Sequence, residues 1–455
     1  MRTHLFQLQQ AVLGRAGVTE VPEGMIRGTA GTVVLKVAFA GLSLLLNVLL
    51  ARLLNPAGYG SYSYAIAAVG LLSVVGIFGM DQLLVRETAI YEARADWPLL
   101  KGLLQRTAFA GVLLSLSLSA LAAGAIVWLG PLFDADMRQT LWLGLLLLPL
   151  LVQIRLRQAT MQGLRYVVAG QIPELVLQPA LFIALLLATK ALAGAPPSPR
   201  SAMAMNLAAA ALAVVAGLHL LRTALPAAVT ESRPMYRMRA WWSSALPMLL
   251  SSGCWVITSR ADVLLLGAIR GSEAVGLYSV ASRSAELITF FLGAFNFVLA
   301  PAMARLHAAR DRERLQRMMT QWVRIVFALS LPLAVGLICL GRWWLPLFGH
   351  GYVQAHAALA ILVGGQLVNV AMGSVGSLLI MTGYERDTAR LLAVSAACNI
   401  TGNALLIPKW GIEGAACATT AGVVLWNVLM VIRVHRRLGI HSTVFGVIRM
   451  HGRAA

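Results

Sequence analysis

The chain has little charge, and little of it is acidic. Only 12% of its 455 residues are Asp, Glu, Lys or Arg, about half the share of a soluble domain. Hydrophobic residues make up 59%, and the mean hydropathy is +0.76. These values exclude a free-standing soluble enzyme and point to a chain that crosses a membrane many times. Acidic residues number 18 against 37 basic ones, a formal net charge of +19. In a soluble protein that excess would suggest nucleic acid. In a membrane protein it is explained by loop arginines that fix topology, so no nucleic-acid partner is expected. Cysteine is scarce: Cys254, Cys339, Cys398 and Cys417 all fall in apolar runs, with no CxxC among them. This excludes a disulfide framework and a thiolate metal site, and leaves the four as small core residues. The first thirty residues hold no continuous apolar run, so no cleaved signal peptide is expected; a short surface helix suits them. P-loop, nucleophile motif and metal-ligand spacing are all missing. His350 and His356 have no carboxylate close in sequence. An enzyme is therefore not expected, and any use of ATP would need another subunit.

What the chain has in abundance is apolar runs. A membrane span needs about 20 apolar residues. On that measure about twelve spans are predicted, at 30–53, 59–80, 107–129, 139–160, 166–189, 203–222, 241–269, 274–300, 322–341, 356–382, 388–407 and 412–433. Pro149, Pro173, Pro179, Pro247 and Pro332 lie inside them, where neighbouring helices or water can satisfy the freed carbonyls. Assigning the even-numbered connections and both termini to one side gives that side roughly 26 Lys and Arg, against about seven opposite. Both termini are accordingly expected in the cytoplasm. All outer loops are short, and the first, "NPAGYG", carries no acid. A lipid-sugar polymerase or ligase would need a larger or acidic outer loop.

The chain also repeats itself. "NPAGYGSYSYAIA" from Asn55 aligns without gaps on "GSEAVGLYSVASR" from Gly271, matching Gly60 with Gly276, Tyr62 with Tyr278, Ser63 with Ser279 and Ala65 with Ala281. "MQGLRY" from Met161 pairs with "MTGYER" from Met381, and "PLF" recurs at Pro131 and Pro346. Three ordered matches at similar offsets predict two six-helix halves. An even number of spans in each makes the repeat parallel. The expected layout is a segment 1–27, a lobe 28–225, a second lobe 226–437 and a tail 438–455. The expected fold class is an all-α polytopic membrane protein working by alternating access.

A charge at the centre of a span costs roughly 2.5–3.5 kcal/mol on insertion scales, so such groups face water, a partner or a ligand. Arg260 and Asp262 precede a short polar break at 270–274, and Arg283 and Glu286 follow it at matched depth. Ser279, Ser282, Arg283, Glu286 and Thr289 share one helical face. Arg260 and Asp262, two positions apart, point about 200° away from each other on a regular helix. One would line a cleft while the other pairs with the next span. The four charges read either as a static ion-pair cluster or as an anion site. Lys36, alone in the first span, either snorkels to the cytoplasmic edge or adds a cation opposite the arginines. Gln171, Glu174 and Gln178 share a face of the fifth span, as a polar seam or a coupling site. Gln366 with Asn369, and Asn399 with Asn403, are amide pairs that glue helices or meet sugar hydroxyls. Gly414, Ala418 and Gly422 have the spacing of close helix packing.

The runs "ARLLNPAGYGSYSYAIAAVGLLSVVGIFGMD", "RADVLLLGAIRGSEAVGLYSVASRSAEL" and "LPLFGHGYVQAHAALAILVGGQLVNVAMGSVGSLLIMTGYERDTARL" resemble the Wzx-like O-antigen and exopolysaccharide flippases. That superfamily also holds the MATE drug exporters and the lipid II flippases. The resemblance covers most of residues 28–435. It implies two six-helix lobes around a cavity, often cationic. It implies translocation of undecaprenyl-diphosphate-linked saccharide units across the bacterial inner membrane, for O-antigen, capsule or exopolysaccharide assembly. It further implies a proton or sodium gradient as the driving force, no bound cofactor, and as partners the membrane lipid, a polysaccharide polymerase and a chain-length protein. Arg260, Arg283 and Lys36 then become candidates for the diphosphate, since Arg presents a rigid fork of donors to phosphate. Asp262, Glu286 and Glu174 become candidates for ion pairing or coupling. The rival reading, a MATE-like exporter of organic cations, would need an acidic cavity.

Overall fold

The computed structural model describes residues 23–130, 133–194 and 196–446; residues 1–22 of the expected surface helix and the first two residues of the Pro131 motif lie outside that range. The described residues form α1 (Glu23–Ile77), α2 (Met80–Ala93), α3 (Trp97–Leu129), α4 (Ala135–Gly163), α5 (Val167–Ile172), α6 (Gln178–Ala193), α7 (Pro199–Ala224), α8 (Ala227–Glu231), α9 (Met238–Glu286), α10 (Phe290–Ala308), α11 (Arg312–Cys339), α12 (Gly341–Trp344), α13 (His356–Met372), α14 (Val375–Met381) and α15 (Glu385–Leu438). A π-helical turn, Pro173–Leu177, joins α5 to α6, and a 3₁₀ turn, Leu287–Thr289, joins α9 to α10. Among the described residues nine helical stretches are long and apolar enough to cross a membrane.

Three helices are too long for one crossing. The 55 residues of α1 would reach roughly 80 Å, against a hydrocarbon core of about 30 Å. Each is a hairpin whose two arms meet at one non-helical residue: Asn55 (φ 58°) in α1, Gly271 (φ 80°) in α9 and Gly411 (φ 56°) in α15. Cross-arm hydrogen bonds show the antiparallel return. Tyr59 donates to Asn47 Oδ1 at 2.7 Å, Tyr278 to Asp262 Oδ2 at 2.6 Å, and Ser395 to the Gly422 carbonyl at 2.9 Å. Asn is one of the few non-glycine residues that tolerate positive φ. The Asn55 side chain also accepts from the Gly58 N–H at 3.0 Å, starting the second arm. The expected loops of several residues thus shrink to single reversal residues, and most spans extend a few residues past their expected ends. In the α15 hairpin the small-residue spacing gives close packing as expected: Ala418 faces Gly402, and Gly422 faces Asn399.

The repeat reappears as repeated turns. Asn55 and Gly271 occupy equivalent places in the alignment. Ala95 (φ 52°) precedes Asp96, whose side chain accepts from the Leu99 N–H at 3.3 Å. Arg310 (φ 57°) precedes Asp311, which caps Arg314 in the same way at 3.0 Å. Arg165 (φ 69°) precedes Tyr166, whose N–H reaches the Met161 carbonyl at 2.8 Å. Gly383 (φ 85°) precedes Tyr384, whose N–H reaches the Leu379 carbonyl, also at 2.8 Å. This last pair corrects the sequence register: Met161 matches Leu379, two positions from the expected Met381, because the turn's hydrogen bonds rather than the methionines define equivalence.

The hydrophobic core divides in an informative way. Near the Asn55, Gly271 and Gly411 reversals (the hairpin end) one cluster joins both halves, holding Tyr59, Tyr62, Tyr278, Phe182, Phe348 and Tyr352. Toward the Asp96 and Asp311 turns (the capped end) there are two separate clusters. One surrounds Leu84, Leu100 and Leu156 of the first half and takes in Trp241 and Ala245 from the start of α9, and the other surrounds Met303, Leu378 and Met430 of the second.

One expectation needs amendment, and the start of the tail is docked. Cys339 and Cys398 are exposed and Cys417 half-buried, so these are not core cysteines. A thiol is apolar enough to face lipid from a spanning helix. The Cys254 side chain lies outside the described set. The start of the tail is not free: Gln316 on α11 binds both the His441 N–H and carbonyl, at 2.7 and 2.6 Å, and Arg324 donates to the Val444 and Gly446 carbonyls at 3.1 Å.

Candidate functional site

The α1 and α9 hairpins cross at the hairpin end, and the crossing is reciprocal. A methyl on Gly60 would overlap the Ser272 carbonyl, and one on Gly276 would overlap the Pro56 carbonyl. Only glycine lets two backbones approach so closely. Around this crossing Tyr352 donates to the Ala51 carbonyl at 3.2 Å, Arg52 Nε to the Leu347 carbonyl at 2.5 Å, and Ser272 to Asp134 Oδ2 at 2.9 Å. These bonds and the shared core seal the two halves together. At the capped end contact runs through the start of α9, where Phe78 meets Trp242 and Trp241 donates to Tyr91 at 3.0 Å. Beyond that the halves keep separate cores, which leaves room for a cleft between them toward the capped end.

The second arm of α9 carries its charges into this cleft. Arg283 Nη1 meets Glu286 Oε2 at 3.0 Å, with the side chains 33% and 53% exposed. Arg283 stands in the electrostatic field of Tyr59 and Asp262, and Tyr59 in that of both Arg283 and Glu286. Arg283 is half-buried and Glu286 exposed, and charges that act on a buried tyrosine of the other half lie on the side of α9 that faces that half. Arg260, half-buried on the first arm, is within the fields of Arg283, Glu286 and Asp262. Arg260, Arg283 and Glu286 therefore gather at one depth.

Asp262 turns away from them. It is 5% exposed. Its Oδ1 accepts from the Val263 N–H at 2.8 Å, and its Oδ2 from Tyr278 at 2.6 Å and Thr419 at 3.4 Å. The first half has a matching arrangement without the carboxylate: Asn206 Nδ2 donates to Tyr62 at 3.0 Å, and Gln178 Nε2 donates to Asn206 Oδ1 at 3.1 Å. Tyr62 and Tyr278 are repeat equivalents. Asn206 and Thr419 stand seven positions into α7 and the second arm of α15 respectively. The sequence alignment contained both tyrosines but gave no partner for either.

The remaining candidates are more dispersed. Lys36 is exposed on the first arm of α1, about 10 Å further along the helix from its reversal than Arg283 is from Gly271. Glu174 sits in the π-helical turn and pairs with Arg155 at 2.8 Å, while Gln178 reaches α7. The polar face of that span thus serves two neighbours. The Gln171 Oε1 is buried with no hydrogen-bond partner in the described set. Asn369 donates to Gln366 at 3.2 Å and accepts from Asn427 at 3.0 Å. Asn403 binds the Asn399 side chain and carbonyl at 3.1 and 2.9 Å, and both are buried. Among the described residues no cluster of His, Cys, Asp and Glu is arranged to hold a metal ion.

The family profile described as polysaccharide biosynthesis protein matches residues 25–307, and the MatE profile matches residues 247–405. A probable flippase, AglR of Haloferax volcanii, is 26% identical over 178 residues, 38% of this chain and 37% of that protein. The capsular polysaccharide biosynthesis protein CapF of Staphylococcus aureus is 22% identical over 176 residues, 38% of this chain and 44% of that one. The chain thus matches less than half the length of either relative. Among solved structures, an inward-facing MATE family multidrug resistance transporter superposes with a TM-score of 0.74 at 13% identity, covering 90% of this chain and 98% of that one. The lipid II flippase MurJ in an inward closed conformation gives 0.69 at 13% identity, covering 90% and 87%.

Proposed function

Because the chain belongs to the polysaccharide biosynthesis protein family, whose members are membrane transporters of the MATE-like flippase superfamily, we propose that it moves a polyprenyl-diphosphate-linked saccharide from the cytoplasmic to the outer leaflet of a bacterial inner membrane. The observation that carries this is the half-buried Arg283 near Arg260, whose ion pair among the described residues is with Glu286. A diphosphate must leave water to cross, and guanidinium is the side chain best matched to it. An ion pair open to water is worth roughly 0–1 kcal/mol, so phosphate can displace Glu286 from Arg283 at little cost. The buried polar chains of Tyr62 and Tyr278 hold the helices that frame this exchange.

The nine apolar stretches, three of them hairpins, give twelve spans in this reading, arranged as two six-helix lobes at 28–225 and 226–437. The excess of Lys and Arg puts the capped end in the cytoplasm. The cleft then opens inward, and crossing of the substrate requires the hairpin end to part and the capped end to close. A proton or sodium gradient would drive the cycle, with the membrane lipid, a polymerase and a chain-length protein as neighbours. The MatE match over residues 247–405 favours a second reading, cation-coupled export of organic cations. Two arginines against one exposed carboxylate in the cleft suit an anion better.

The test is reconstitution into liposomes with a fluorescent polyprenyl-diphosphate saccharide and a membrane-impermeant quencher. Protein-dependent exchange of the probe between leaflets, abolished by Arg283→Ala, is expected. No exchange above empty liposomes, with export of a cationic dye instead, would overturn the reading.

A further inference from the structure

A second polar site lies far from the cleft charges. At the capped end of the first half, α2 and α4 flank an open recess of about 350 Å³ lined by Asp81, Gln82, Arg86, Arg155, Gln158 and Gln162 over an apolar floor that includes Val85 and Ala159. That volume is within the range of small-molecule sites.

The repeat shows that the fold does not require these residues. By the spacing of the repeated turns, Asp81, Gln82 and Arg86 correspond to Asn296, Phe297 and Pro301, and Arg155, Gln158 and Gln162 to Gly373, Gly376 and Ile380. The second half thus keeps neither arginine, and of the amides and the carboxylate it keeps one amide, so this polar set is particular to the first half.

The hydrogen-bonding inventory indicates the ligand. Asp81 Oδ1 and Gln158 Oε1 are buried acceptors with no donor in the described set. Buried acceptors are normally satisfied, and here they call for hydroxyl or N–H donors. Arg86 and Arg155 call for acceptors. Their present partners are Glu87 at 2.9 Å and Glu174 at 2.8 Å, each 17% exposed, while the arginine side chains stay 47% and 55% exposed, and a guanidinium has five donors, more than one carboxylate uses. Hydroxyl donors and anionic oxygens together describe a sugar phosphate. We propose that this recess binds the glycosyl-phosphate portion of the transported lipid at the cytoplasmic mouth, before the cleft arginines take the diphosphate. This inference rests on the transport reading above.

The same chemistry is carried by a soluble sugar phosphate, so the test uses both forms. Binding to the full chain in nanodiscs is measured with farnesyl-diphosphate-linked N-acetylglucosamine and with glucose 1-phosphate. The variants are Arg86→Gln combined with Gln158→Leu, and Gln162→Leu alone, which alters an exposed side chain and spares the fold. Loss of two such contacts is expected to weaken the lipid-linked probe tenfold or more, with Gln162→Leu giving a smaller loss at an unchanged thermal midpoint. Glucose 1-phosphate binding that is weakened by the same changes would support the recess and identify the sugar phosphate as sufficient. Wild-type binding of the lipid-linked probe with no loss in either variant would overturn the recess and leave the transport reading intact. Binding of neither probe to wild type would overturn both.

Discussion

Arg283 and Asp262 belong to one helical hairpin but to opposite circumstances. Arg283 is open to water with one exchangeable partner, whereas Asp262 is enclosed by three donors. Replacing the first should therefore change transport, and disturbing the second should change stability. Arg283→Ala should lower the initial rate of transport at least tenfold while moving the thermal midpoint little, since the lost pair is worth about 0–1 kcal/mol. Arg283→Lys should recover part of the rate, because a point charge replaces a bidentate fork. Tyr278→Phe removes the shortest contact to a buried carboxylate, a change of roughly 1–3 kcal/mol. The detergent-solubilised variant should melt several degrees lower. An unaltered midpoint would mean that Asp262 finds another donor.

The elements show why the sequence was legible in some respects and not in others. Apolar runs are set by the bilayer, so every expected span has a helix, with boundaries shifted by a few residues in most and by ten at the starts of α3 and α11. The reversals were harder to place. Single residues at Asn55, Gly271 and Gly411 turn whole helices, and no wide loop marks them. The Gly60 and Gly276 match was visible as a repeat, but its meaning, two backbones in reciprocal contact, depends on three-dimensional approach. The same limit hid the partners of Tyr62 and Tyr278, and it hid the recess, whose residues come from helices some seventy positions apart. Two positions apart on a helix sufficed to separate Arg260 from Asp262, and the structure turns Asp262 toward Tyr278. The crossing glycines yield an element-scale prediction. Gly60→Ala should hold the hairpin end apart, because the methyl meets backbone that cannot rotate away. A cysteine at Ser63 in a cysteine-free background should then be labelled severalfold faster by an impermeant maleimide added outside. Equal labelling would show that the crossing is not the outer seal.

For the molecule as a whole, the three cores describe a working cycle. The shared cluster at the hairpin end joins the halves, and the two clusters at the capped end let them diverge. Alternating access in this design exchanges which end is joined, while each half keeps its own packing. The two capped-end clusters share no side chain, and the contacts that rocking would have to slide are those of Trp241, Trp242 and Ala245 at the start of α9 against the first half. On the proposed reading, arginines near the middle of the passage would meet the anionic part of the cargo from each side in turn.

The central claim is that the cargo is a lipid-linked saccharide. The most direct measurement is made on cells lacking this protein: polyprenyl-linked saccharides are extracted and their leaflet is determined. The account predicts complete saccharide units accumulating on the cytoplasmic leaflet, relieved by wild-type protein and not by Arg283→Ala. Normal lipid-linked pools on both leaflets, accompanied by new sensitivity to cationic dyes, would contradict it.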